Sequence, residues 1–167
     1  MEAEVARIAG RALLEHRMTR IFFVLALAFL ALPIALDARA ENLTLEGTVS
    51  HVRDGDTIEV GPIAIRLQGI AAPEGNEPGG AIATDAMRDL VLGKELRCDL
   101  IGDRSHDRVI GACFLDDGRD VGEVMVFQGQ ARDCRRFSRG RYVDAERHAR
   151  TMGHDLSQIY MLPEYCE

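Results

Sequence analysis

The residues of this chain best suited to chemistry are a few carboxylates and arginines that follow one another in a definite order. Asp54 and Asp56 flank a glycine in the sequence DGDT, and Arg66 lies ten residues after Asp56 in the segment IRLQGIAAPE. Glu74 ends that segment, and Arg108 opens a later strand-like run. Carboxylates can bind a cation or accept a proton, whereas the forked guanidinium group of arginine holds anionic oxygens. Each residue alone has an ordinary structural explanation, so the hypothesis of a site depends on their combination.

The hydrophobic pattern assigns these residues to short strands and the loops between them. Apolar residues alternate from Leu43 to Val52, the pattern resumes from Thr57 to Val60, and a third alternation runs from Ile63 to Leu67. The three runs predict an antiparallel meander in which Arg66 projects from the face opposite the core side chains. Residues 69–80, which contain two prolines and four glycines, are predicted to form a loop.

Three helices and a second pair of strands complete the predicted fold. Helices are expected over residues 81–92, after an N-cap at Asp120 and up to Gly129, and from about Arg141 to Met152. Strand-like runs around Cys98 and Cys113 predict a hairpin. We therefore expect an α+β protein, mainly β, built as a five-stranded antiparallel OB-fold barrel with three helices.

The cysteine positions predict two disulfides. All four cysteines lie after residue 40, and none has the CxxC spacing of a zinc or redox site. Cys98 and Cys113 are about equally far from the polar loop 103–107, which makes them cross-strand neighbours in the hairpin. The remaining pair, Cys134 with Cys166, would then tie the C-terminal tail to the domain.

The first forty residues differ in kind from the rest. Residues 21–36 form 16 uncharged positions, fewer than the roughly 20 that cross a bilayer, and Ala38-Arg39-Ala40 follows with small residues where a signal peptidase requires them. We predict a leader cleaved after Ala40, with Met18 as an alternative start, and a periplasmic or secreted domain formed by residues 41–167. The alternative is an uncleaved membrane anchor through residues 21–36.

Length and charge limit the classes of protein that remain. The chain has 167 residues, of which 47% are hydrophobic, with 27 acidic and 20 basic side chains. These values exclude a disordered chain and a multi-span membrane protein, and they suit one globular domain. We expect this domain to act as a monomer. Residues 41–167 carry a formal charge of −8, so any nucleic acid must contact a local basic patch. The densest such patch contains Arg132, Arg135, Arg136, Arg139 and Arg141.

The order of the motifs resembles the thermonuclease family, the staphylococcal-nuclease-like domains. Its members carry a DGDT turn, an R-L-x-G-I-D-A-P-E segment and a Y-G-R strand start, and this chain has His106-Asp107 in place of the Tyr-Gly. The resemblance covers about Thr48 to Tyr160. It implies an OB-fold and Ca²⁺-dependent hydrolysis of phosphodiester bonds in DNA and RNA.

The resemblance also implies catalytic roles for three residues. Arg66 matches the first catalytic arginine, Glu74 the catalytic glutamate, and Arg108 the second arginine. Hydrolysis of a phosphodiester adds negative charge in the transition state, so two guanidinium groups aimed at the phosphate oxygens would stabilise it. Glu74 would orient or deprotonate the attacking water.

The metal ligands that the resemblance implies are incomplete. Asp56 matches a calcium-ligating aspartate, Asp54 an acid that acts through water, and Ala72 a ligand through its backbone carbonyl. The family's second aspartate falls at position 71, where this chain has Ala71. Loss of that charge weakens calcium binding. Two hypotheses therefore stand: an exported nuclease that uses calcium or another divalent cation, and a catalytically impaired module that binds nucleic acid or an envelope partner.

Overall fold

The computed structural model describes residues 43–166, whose central feature is a closed five-stranded barrel with the ring order β1-β2-β3-β6-β5. A separate two-stranded sheet pairs β4 with β7. The strands are β1 (Leu43–Val52), β2 (Thr57–Val60), β3 (Ile63–Leu67), β4 (Ile70–Ala71), β5 (Glu95–Ser105), β6 (Arg108–Phe114) and β7 (Arg132–Asp133).

Four helices flank the barrel in the part of the chain that the structure describes, with two 3₁₀ turns near its end. They are α1 (Gly80–Val91), α2 (Val121–Phe127), α3 (Arg135–Ser138) and α4 (Val143–Thr151), and the turns are Leu156–Gln158 and Glu164–Cys166. The predicted helices correspond to α1, α2 and α4, whereas the four-residue α3 is an addition to the three expected. Among residues 43–166, no helix combines the length and apolar character that a membrane crossing needs.

The barrel is mixed, which corrects the prediction of an antiparallel one. β3 pairs with β6 in parallel, with Ile65 opposite Val109 and Leu67 opposite Gly111, while the other four pairs in the ring are antiparallel. A closed ring with an odd number of strands cannot alternate in direction throughout, so closure of five strands requires at least one parallel pair.

The hydrophobic core fills the barrel and continues beneath the helices. Ile58 and Ile65 point inward from β2 and β3 and are fully buried. Helix α1 buries Ala83, Met87 and Val91, which are spaced four residues apart and therefore lie on one face. Helix α2 begins at the predicted N-cap, since the Asp120 carboxylate accepts hydrogen bonds from two backbone N–H groups of its first turn.

Both predicted disulfides are present. Cys98 and Cys113 face each other in the β5–β6 register, and Cys134 is joined to Cys166 across 32 positions of sequence. The second bridge belongs to a small apolar group, here called the tail cluster, formed by Ala71, Cys134, Tyr160 and Cys166. It attaches the C-terminal tail to the end of β4.

One buried carboxylate, that of Asp133, lacks a hydrogen-bond partner among the residues described. Its side chain has no exposed surface, and the nearest cationic atom is Nε of Arg135 at 3.8 Å. Arg135 is itself 64% exposed, so solvent screens the pair. Burial therefore raises the pKa of Asp133.

We predict that Asp133→Asn stabilises the protein in a pH-dependent manner. A carboxyl group whose pKa is higher in the folded state favours folding at low pH and loses that contribution as the pH rises through its folded pKa. The variant should exceed the wild type at pH 8 by about 1 kcal/mol or more in free energy of unfolding, and match it near pH 4. Urea denaturation at both pH values measures this.

The matched control is Asp144→Asn, because the Asp144 side chain is 88% exposed. It should change the free energy of unfolding by less than about 0.5 kcal/mol at either pH. Equal stability of Asp133→Asn and the wild type at pH 8 would contradict the cost assigned to the buried carboxylate.

Candidate active site

The carboxylate of Asp56 is the centre of the site. It is 6% exposed, and its Oδ2 accepts a hydrogen bond of 3.0 Å from the backbone N–H of Ala72 and lies 3.0 Å from Nη2 of Arg66. Its Oδ1 accepts a hydrogen bond of 3.0 Å from the hydroxyl of Thr57. Both oxygens are therefore engaged, and the 14% exposed Arg66 side chain is held by a buried ion pair.

The DGDT turn brings Asp56 to this position. Oδ1 of Asp54 accepts a hydrogen bond of 2.9 Å from the backbone N–H of Asp56, which closes an Asx-type turn. Gly55 packs against the chain so closely that a Cβ there would lie 2.6 Å from the Cβ of Ala72 and 2.8 Å from that of Ala83. A side chain at position 55 would thus prevent the turn from packing against α1.

The Thr57 hydroxyl connects Asp56 to the second arginine. Nη1 of Arg108 donates a 2.9 Å hydrogen bond to Oγ1 of Thr57, and Nη2 donates a 3.1 Å bond to Oγ of Ser105. Arg66 and Arg108 both line one cleft of about 540 Å³. We call Asp56, Thr57, Arg66 and Arg108 the Asp56 network, which holds two guanidinium groups beside the same open space.

Burial raises the pKa of Asp56 to about 6. The positive charge of Arg66 acts in the opposite direction and lowers the pKa, whereas the neighbouring Asp54 raises it further. The ion pair with Arg66, with 3.0 Å between Nη2 and Oδ2, thus opposes the effect of burial by favouring the ionised carboxylate.

Glu74 lies in an exposed loop that is attached to the network by backbone. It follows Ala72, the residue bonded to Asp56, by two positions, and its own N–H donates a 2.8 Å hydrogen bond to Oε2 of Glu77. A Cβ on Gly80 would lie 1.7 Å from the Glu74 carbonyl oxygen. This loop conformation therefore requires glycine at position 80. The Glu74 carboxylate makes no hydrogen bond or ion pair with the described residues.

The donor set does not fit the calcium site that the resemblance implies. Within residues 43–166, no three Asp, Glu, His or Cys side chains come together in a group that could hold a metal ion. Both Asp56 oxygens already bind neighbouring protein groups, and Ala71 supplies no side-chain ligand. Ala71 is 1% exposed and belongs to the tail cluster. The methyl group of alanine packs well in this apolar environment, whereas burial of a carboxylate there would destabilise the fold.

The arginine patch divides into one internal and several exposed members. Nε of Arg132 pairs with Glu146 at 3.2 Å and its Nη1 donates to the Tyr160 carbonyl at 3.2 Å, which leaves its side chain only 15% exposed. Arg135 and Arg136, by contrast, project from α3 and are exposed. The structure therefore brings Arg135 and Arg136, but not Arg132, to the surface.

Sequence reasoning did not assign roles to Thr57 or Tyr165. Thr57 is the last residue of the DGDT motif and directly follows Asp56, which was the available signal in the sequence. The structure shows that it is fully buried. Tyr165 lines the cleft with the two arginines, and its position beside a disulfide cysteine was the only indication in the sequence.

We predict that Thr57→Val lowers the free energy of unfolding by about 1–3 kcal/mol, although valine has nearly the same shape. The variant leaves Oδ1 of Asp56 and Nη1 of Arg108 without their shared partner. Urea denaturation checks this against Thr48→Val, which changes an exposed threonine of β1 and should have little effect. A Thr57→Val protein as stable as the wild type would contradict the bridging role of the hydroxyl.

The sequence of this chain is similar to a family model and to several known proteins. A family model described as staphylococcal nuclease homologue matches residues 64–156. An uncharacterized endonuclease of Escherichia coli is 37% identical over 91 residues, which are 52% of this chain and 60% of that protein. The succinoglycan biosynthesis protein ExoI of Rhizobium meliloti is 32% identical over 117 residues, 62% of this chain and 60% of that protein.

Protein ParB of Escherichia coli is 29% identical over 126 residues, which are 68% of this chain and 71% of ParB. The chain thus spans about 60% of the length of the first two relatives. The family model includes Arg66, Glu74 and Arg108 and covers more than half of the sequence. The chain belongs to the family of staphylococcal nuclease homologues.

Proposed function

We propose that this protein is a nuclease that hydrolyses phosphodiester bonds of DNA and RNA at the Asp56 network. The observation that carries the proposal is the pair of guanidinium groups, Arg66 and Arg108, held beside one cleft by a buried carboxylate and a buried hydroxyl. The family and the name of the Escherichia coli relative, an endonuclease, support the same activity.

In this proposal Arg66 and Arg108 stabilise the phosphate in the transition state. Attack by water increases the negative charge on the phosphate oxygens, and donors already fixed in place interact with it without reorganisation. Asp56 keeps Arg66 oriented, and Thr57 does the same for Arg108. Removal of one such donor typically lowers the rate by about 10² to 10³.

Glu74 accepts a proton from the attacking water in this mechanism. Its carboxylate is exposed and free of hydrogen bonds among the described residues, so it is available to a water molecule. The proton passes from the water to Glu74 as the new phosphorus–oxygen bond forms. The bond to the leaving oxygen of the sugar breaks, and that oxygen takes up a proton from solvent. Exposed Arg135 and Arg136 are proposed to contact the nucleic-acid backbone nearby.

We predict that Glu74→Gln lowers kcat for cleavage of single-stranded DNA by about 10²-fold or more, because an amide cannot accept the proton. The assay uses the purified, oxidised protein with a fluorescently labelled oligonucleotide. Glu95→Gln, an exposed acid on β5, is the matched control and should cleave at the wild-type rate. A Glu74→Gln protein as active as the wild type would remove this mechanism.

Calcium is proposed to bind weakly at most. The resemblance implies Asp56, Asp54 and the carbonyl of Ala72 as ligands, but Arg66 already neutralises Asp56 and no carboxylate is present at position 71. Isothermal titration should give a dissociation constant for Ca²⁺ weaker than about 1 mM, the upper end of protein calcium sites. Saturable binding at micromolar concentrations would contradict this expectation.

We propose an exported location, periplasmic or secreted. The described residues carry two disulfides and no free cysteine, which suits an oxidising compartment. The predicted leader, residues 1–40, lies outside the described residues, as do the alternative start at Met18 and the alternative membrane anchor at 21–36. Division of the chain at residue 40 therefore remains part of the proposal.

A second candidate function is binding of nucleic acid or an envelope partner without cleavage. The observation that favours it is Ala71, which is buried in the tail cluster where the family has a ligating aspartate. The two candidates make different predictions for the same experiment. A wild-type protein that binds the labelled oligonucleotide and leaves it intact would favour the second.

A further inference from the structure

The cleft beside the two arginines extends to a pair of aromatic rings. Phe137 and Tyr165 line it together with Arg66 and Arg108. The ring centroids lie 6.4 Å apart with the planes tilted by 56°, and the two residues are 47% and 52% exposed. Large apolar rings that remain half exposed in a cleft suit a partner with a flat aromatic face.

A single disulfide positions both rings. Cys134 directly precedes α3, the helix that carries Phe137, and Cys166 directly follows Tyr165. The 3₁₀ turn Glu164–Cys166 packs against α3. The Cys134–Cys166 bridge therefore holds the end of the tail, which lies beyond the family-matched residues 64–156, at the wall of the cleft.

The charges in the cleft indicate what the rings would bind. Guanidinium groups and aromatic rings line the same cleft. Guanidinium groups suit a phosphate and aromatic rings suit a nucleobase, so the lining combines the two groups that a nucleotide presents. Bases in a duplex are stacked on their neighbours, whereas an unpaired base is free to stack on a protein ring. The arrangement therefore favours a single strand.

We propose that the disulfide-held tail is part of the substrate site, and that Tyr165 stacks with a base of single-stranded nucleic acid beside Phe137. This inference rests on the proposed nuclease function for its kinetic test. Tyr165 contributes its ring face, so the interaction is independent of base identity and of the tyrosine hydroxyl.

The test compares Tyr165→Ala, Tyr165→Phe and the wild type on a labelled single-stranded oligonucleotide. Tyr165→Ala should raise KM about fivefold or more with kcat unchanged, and Tyr165→Phe should behave as the wild type. The control is Phe127→Ala, because Phe127 is also 47% exposed but lies on α2 and does not line this cleft. On an oligonucleotide of abasic sites, Tyr165→Ala and the wild type should have equal KM.

The disulfide is tested by a double-mutant cycle. Cys134→Ala/Cys166→Ala should raise KM to a similar degree, and adding Tyr165→Ala should have little further effect, because the ring is no longer held in the cleft. Circular dichroism verifies folding. If the double cysteine variant does not fold, the comparison of Tyr165→Ala, Tyr165→Phe and the wild type alone tests the proposal.

An unchanged KM for Tyr165→Ala, or an equal rise on the abasic oligonucleotide, would overturn the proposal. Fluorescence anisotropy of the same oligonucleotides separates this failure from failure of the nuclease function. A wild type that cleaves nothing but binds the single strand at least about fivefold more tightly than Tyr165→Ala would support the stacking site and reject the nuclease.

Discussion

The buried carboxylate of Asp56 is the interaction on which the arrangement of the site depends. Removing a carboxylate from water is costly, and here the cost is offset by an ion pair with Arg66, a hydroxyl hydrogen bond from Thr57 and a backbone N–H of Ala72. These partners come from β2, β3 and the loop after β4. The same group that must be satisfied to fold the domain thus orients one arginine directly and Arg108 through Thr57.

Position 71 links the chemistry of the site to the attachment of the tail. Ala71 packs with the Cys134–Cys166 disulfide and Tyr160, at the position where the resemblance implies a charged ligand. A carboxylate there would enter an apolar cluster close to Asp56, which would raise the energy of both groups. The departure from the family pattern therefore suits the disulfide-held tail of this chain. In the proposed mechanism, the charges that contact a phosphate are those of the arginines.

Local patterns in the sequence predicted much of the fold and part of the site. Alternating apolar residues indicated β1, β2 and β3, and the symmetric spacing of Cys98 and Cys113 indicated their pairing, because these features depend on near neighbours. The parallel pairing of β3 with β6 follows from closure of the five-stranded ring. No local pattern in the sequence indicates that closure. Contacts between segments that are separated in the sequence bury Arg132 against Glu146 and place Tyr165 in the cleft. Local patterns do not report such contacts, so the sequence analysis assigned Arg132 to the same patch as the exposed arginines.

The proposed chemistry requires Arg66 and Arg108 to act as one unit on a single phosphate. The most direct measurement is kcat/KM for single-stranded DNA cleavage by Arg66→Lys, Arg108→Lys and the double variant, since lysine keeps the charge and loses the fork. Residues that work together on one group are not additive, so we predict that the double variant is barely slower than the slower single variant. Losses that multiply independently, or single variants as active as the wild type, would contradict the joint action of the two arginines.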